Sequence, residues 1–185
     1  MLRRLILALP VMLAPAGVAA QEFVPVPGLI SDEDCYRLVA CAAPPGGGCA
    51  KPMIRWPETR RHPLRIGIAA IAPGFPGYKF DLVDRAIDTA IDQINATGAD
   101  LVLMRVYEGA LDVPFYLVET PQGGRIEGTS IAELDGADIA MARVALRSRG
   151  GDIHAAAIAI SQDIRRREII SVVLEELVQS LGLPT

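Results

Sequence analysis

Histidine is almost missing from this chain: 185 residues contain His62 and His154 and no others, too few for a metal site built on imidazoles. Aromatic residues are also scarce at 5%, with Trp56 the only tryptophan. Basic charge is not in excess, since 18 Lys and Arg face 22 Asp and Glu, and this acidity argues against a nucleic-acid surface. The short clusters Arg60-Arg61 and Arg165-Arg166-Arg167 therefore read as solvated faces. No apolar run is long enough for a membrane-spanning helix, so no stable membrane insertion is expected. No internal repeat is visible. The turn Gly74-Phe-Pro-Gly77 has no lysine, and its prolines lack the amide donors that cradle a phosphate. Ser148, Ser161 and Ser171 lack the flanking glycines of a nucleophile elbow.

What is present begins with a leader. Met-Leu-Arg-Arg, an apolar run from Leu5 to Leu13 and Val18-Ala19-Ala20 read as a signal peptide over 1–20, cleaved before Gln21. No cysteine follows the cleavage point to carry a lipid, so a secreted or periplasmic protein is expected. Cleavage leaves 165 residues, a single-domain length, and loss of Arg3 and Arg4 moves the charge from −4 to −6. The remainder divides into a Cys/Pro/Gly-rich segment over 21–52 and a domain over 53–185.

The three cysteines lie in that first segment, in the exported part, where a disulfide is the default. Cys41 and Cys49 flank the turn-forming Ala-Ala-Pro-Pro-Gly-Gly-Gly, which folds back and favours their pairing. Ser31 followed by Asp-Glu-Asp reads as the cap and acidic first turn of a helix. On such a helix Cys35 is too far from Cys41 to bond, and it is expected as a buried small hydrophobe.

Further on, Pro63 to Ala70 reads as a strand, with Trp56 at the edge of the core. Apolar residues at Phe80, Val83, Ala86, Ile87, Ala90, Ile91 and Ile94 repeat at helical spacing up to Gly98. Leu101 to Tyr107 reads as a strand buried on both faces, and Leu111 to Val118 as another. Residues 137–146 fit a strand or a helix. Ile153 to Ile160 reads as a strand, and a last helix is expected from Asp163 to Leu181, its core face formed by Ile170, Val173, Leu174, Leu177, Val178 and Leu181. This order predicts an α/β or α+β sandwich.

The last helix carries the chemistry. Glu175-Glu176-x-x-Gln179 has the frame of the zinc-peptidase pattern H-E-x-x-H, with Glu176 at the general base and Glu175 and Gln179 at the two histidines. The same letters also describe a helix ended by a glycine cap with two solvated glutamates. Taken with Pro63 to Ile68, the helix from Phe80 to Ala96, Ala137-Asp-Ile139 and the strand from Ile153, the pattern resembles the N-terminal half of a matrixin-type metzincin. Cys41 and Cys49, Ile54-Arg-Trp56 and the segment from Glu175 to Pro184 more closely resemble an exported bacterial domain-of-unknown-function family, number 2927.

The resemblance implies a zincin-like α+β fold: a mixed sheet, two main helices and a disulfide-stapled N-terminal segment. It places Glu176 as catalytic base, Glu175 and Gln179 as metal ligands, and Gly182 at the bend. The third ligand position falls where the sequence stops at Thr185, which implies an incomplete cleft or a longer natural chain. Carboxylate plus amide is a poor zinc pair and slightly better for a hard divalent cation. No tight zinc or other cofactor is expected, although a divalent metal remains compatible. His62 reads as exposed or as a strand-end hydrogen bonder. His154 reads as structural, with the cleft as its alternative.

Two functions follow. One is a non-catalytic binding protein or pseudo-peptidase, with a protein or peptide as partner. The other is an atypical metal-dependent hydrolase in which Glu176 activates water.

Overall fold

A computed structural model describes residues 28–59 and 63–183. The signal-peptide reading over 1–20, His62 and Thr185 lie outside the described residues.

Helix α1, Asp32–Cys41, starts where expected: Ser31 Oγ accepts from the Asp34 amide at 3.1 Å, and Asp32, Glu33 and Asp34 fill the first turn. Ala42 ends it in the left-handed region, at φ 54°. The chain then turns back through the glycines and closes the disulfide Cys41–Cys49. Arg37 Nη2 donates to the Gly47 carbonyl at 2.7 Å, fastening the loop to the helix. Cys35 is a correction, because it is free and exposed rather than buried. The helix turns Ala40 and Cys41 inward, and Cys35 falls on the solvent side.

The main body runs β1 (Leu64–Ile71), α2 (Gly77–Asn95), β2 (Leu103–Arg105), β3 (Val113–Val118), β4 (Ala142–Arg149), β5 (Asp152–Ser161) and α3 (Ile169–Ser180). The strands form one mixed sheet in the order β2-β1-β3-β5-β4. Neighbours are parallel except β4, which pairs antiparallel with β5 and stands at one edge. With three helices and the disulfide, this is an α+β fold. No described helix is long and apolar enough to cross a membrane.

Both main helices share one core with one face of the sheet. Val83, Ile87, Ile91 and Ile94 of α2 meet Leu64, Ile66, Val113, Phe115, Ile158 and Ile160, and Ile169, Val172, Val173 and Leu177 of α3 complete the cluster. Each such side chain, fully buried, contributes about 1.5–3 kcal/mol. The opposite face of β3, β5 and β4 is covered by the connection that follows β3, whose Ile126, Leu134 and Ile139 pack on Val118, Ala145, Ala157 and Ala159.

Three expectations change, and one open alternative is settled. The run from Leu101 to Tyr107 is not a strand buried on both faces. Only Leu103–Arg105 pairs, at the sheet edge, and Val102, Met104 and Tyr107 are exposed. The crossover through α2 delivers this strand outside β1, where one flank has no neighbour. Asn95 covers that flank: its Nδ2 donates to the Leu103 carbonyl and its Oδ1 accepts from the Leu103 amide, both at 2.9 Å. Residues 137–146 resolve into a loop and a strand that begins at Ala142, with an isolated Arg125–Asp138 bridge.

The last helix starts at Ile169 rather than Asp163, because Asp163 to Glu168 are used in turning off β5. Its buried face is also rotated: Ile170 is 60% exposed while Ile169 and Val172 are buried. Contact with α2 on one flank and the strands on another widens the inward face at their expense.

The segment before β1 ties the two ends of the domain together. Trp56, buried as a core-edge residue, donates from Nε1 to the Ser180 carbonyl at 3.0 Å. Arg55 pairs with the start of β5 through its amide to Gly151 and its carbonyl from Ile153. Gly182 passes under this segment.

Candidate functional site

The helical period puts Glu175 and Gln179 one turn apart on α3, and they hydrogen-bond, Gln179 Nε2 donating to Glu175 Oε1 at 3.3 Å. Glu176 turns toward the sheet. Because β4 is the edge strand nearest α3, these residues face a cleft of about 470 Å³ whose other wall is Ala142, Arg143, Val144 and Leu146.

Glu176 is the chemically distinctive group. The β4–β5 register turns the Val144 backbone amide away from β5, and that amide lies near the Glu176 carboxyl. Oε2 is buried and has no hydrogen-bond partner among the described residues. Burial pushes the carboxyl up to about 7, with the neighbouring Glu175 charge adding to the rise and Arg143 and the Val144 amide opposing it. An acid of that strength exchanges protons near neutrality, which suits a general base or an acid that donates to a carbonyl.

The spacing in sequence brings Glu175, Glu176 and Gln179 to one cleft, and Gly182 stands just beyond the helix with φ 111°. His154 does not join them. It lies exposed near the start of β5, beside the irregularity between Arg147 and Ser148, and does not line the cleft.

The metal fit can be judged from the donors. Glu175 and Gln179 offer one exposed carboxylate and one neutral amide, already bonded to each other, and no described group of three His, Cys, Asp or Glu could hold a metal ion. Such a pair does not fit zinc, which takes imidazole and thiolate and needs at least three protein ligands in a catalytic site. No step is derived through a metal here.

Arg143 and Val144 were not among the residues singled out from the sequence. Their signal is the alternation of Arg143, Arg147 and Arg149 with apolar residues, which marks a strand with one polar side; the alanines around it obscured the pattern.

No family model matches the chain, and no curated protein matches it.

Proposed function

We propose that this is an exported protein that binds an extended protein or peptide segment in the cleft between β4 and α3 without cutting it, a degenerate zincin-like binding protein. The observation that carries this reading is the cleft in which Glu175, Glu176 and Gln179 face Val144 of the sheet's antiparallel edge strand. An incoming strand would pair with the outward amide of Val144, and its side chains would meet Glu175, Gln179 and Arg143. The fold assignment is supported by a final helix lying against the lone antiparallel strand of a mixed sheet, with Glu176 and Gly182 in the spacing of the peptidase motif. Export is supported by the leader-like N-terminus and by the disulfide.

A second reading has its own observation. A half-buried carboxyl pushed up to about 7 with an unpaired oxygen is what water activation requires, and it keeps hydrolysis by Glu176 as the alternative.

One experiment separates them. The protein is incubated with a library of extended peptides, and mass spectrometry follows retention and cleavage together. Retained, uncut peptides, lost when Val144→Pro removes the edge amide, support binding. Cleavage products that vanish with Glu176→Gln establish the hydrolase. Neither retention nor cleavage would remove both.

A further inference from the structure

A larger concavity, of about 690 Å³, opens away from the β4 cleft at the carboxyl ends of β1 and β3. Its position follows from topology. The chain leaves β1 for α2 and then β2 on one side, and leaves β3 for the covering connection and β4 on the other, so the two loops part above the sheet. Such a parting of loops is where open sheets with parallel strands receive ligands. A register shift between Ile68 and Ala70 in the β1–β3 pairing bends β1 just below the opening.

The lining combines a small apolar floor with charges of both signs. Ala70 and Ala72 leave room above Leu117, and Glu119, Arg125 and Glu127 stand on the walls. Glu119 is fixed: the Gly74 amide donates to its carboxylate at 3.1 Å, and a Cβ on Gly74 would stand 2.2 Å from its carboxyl carbon. A side chain at residue 74 would displace this carboxylate, and the same contact occupies the amide that a phosphate-binding turn would need. Glu119 and Glu127 have no cationic partner among the described residues.

Arg125 and Glu127 flank the buried Ile126, so they share one side of an extended segment. Among the described residues Arg125 pairs only with Asp138, at 3.7 Å with both side chains about three-quarters exposed, a pairing too weak and solvated to occupy it. Tyr116, also at the rim, has its phenol pushed up by burial and by Asp135, so it stays a hydrogen-bond donor.

We propose that this crevice binds short zwitterionic peptides, Glu119 receiving the ammonium terminus and Arg125 the carboxylate. Opposite charges carried by different segments, Glu119 just past β3 and Arg125 in the connection that follows, suit a ligand whose own charges are separated. An extended dipeptide or tripeptide, at about 3.3–3.6 Å per residue, separates its termini in that way, and a pocket within the usual range of about 300–1,000 Å³ holds it. The alanine floor admits small apolar side chains. This site is independent of the cleft beside α3, so either reading can fail without the other.

The test is isothermal titration of the protein with L-alanyl-L-alanine and with the uncharged N-acetyl-L-alanine methylamide. We expect the dipeptide to bind with a Kd of about 1 mM or tighter and the capped analogue at least about tenfold more weakly. Arg125→Ala and Glu119→Gln should each weaken the dipeptide about tenfold with thermal unfolding unchanged, while Arg125→Lys, which keeps the charge but loses the paired guanidinium donors, should weaken it less than Arg125→Ala. Equal binding of the two ligands, affinity that survives both substitutions, or no heat with dipeptide at about 10 mM would overturn the proposal.

Discussion

Gly182 runs so close beneath Ile54 that a Cβ added to it would stand 2.2 Å from the Ile54 carbonyl oxygen. The residue just beyond α3 is thus a packing requirement as well as a turn, since its φ of 111° is also one that side chains rarely adopt. Gly182→Ala should destabilise the protein by about 2–3 kcal/mol, combining strain and clash. Urea unfolding reads this directly, and a change under about 0.5 kcal/mol would show that the crossing is loose.

Glu176 gives stability a pH dependence of known sign. Its carboxyl is pushed up to about 7, above the ordinary carboxylate value of 4.5, so the folded state favours the protonated form. This contribution is fully present below the unfolded value and is lost as pH rises through about 7, so its part of the stability should fall between pH 5 and pH 8. Glu176→Gln keeps the shape of the side chain and cannot ionise. It should flatten that part of the profile and stabilise the protein at pH 8 by about 1–2 kcal/mol. A variant with the wild-type slope would assign the titration elsewhere.

The cysteines should separate by reactivity. Under native conditions iodoacetamide should modify Cys35 alone, one thiol per chain, because Cys41 and Cys49 are paired. Replacing both paired cysteines by serine should cost about 2 kcal/mol for a loop of this length. Peptide mapping checks the first outcome and thermal unfolding the second.

Asn95→Ala should remove both hydrogen bonds that bracket Leu103 and cost about 1–3 kcal/mol, with faster exchange of the Leu103 amide by nuclear magnetic resonance. Unchanged exchange there would mean that neighbouring backbone, rather than this side chain, protects the edge.

Much of the scaffold is legible in the residues themselves. The helical spacing from Phe80 to Ile94, the β-type runs at Leu64, Val113 and Ile153, and the glycine loop between Cys41 and Cys49 each depend on local pattern, and each forms where it is read. The adjacency of Glu175 and Gln179 is likewise a matter of helical period. Features set by sheet order were not legible. That Leu103 lies at an edge, that Val144 lies opposite Glu176 and that Ile169 rather than Ile170 faces inward all depend on which elements become neighbours. The exposure of Cys35 is likewise invisible in the sequence, because which face of its helix turns inward, that of Ala40 and Cys41, depends on packing. The covering role of residues 119–141 was also hidden, since Ile126, Leu134 and Ile139 follow neither period.

The side-chain amide of Asn95 occupies the β2 flank much as a neighbouring strand would, so the sheet is terminated on that side by its own chain. Growth is therefore one-directional. Among the described strands β4 is the edge without such a cover, so assembly by strand addition would begin there. A partner joined there forms a finite complex, and two copies joined β4 to β4 form a closed pair instead of an open fibre.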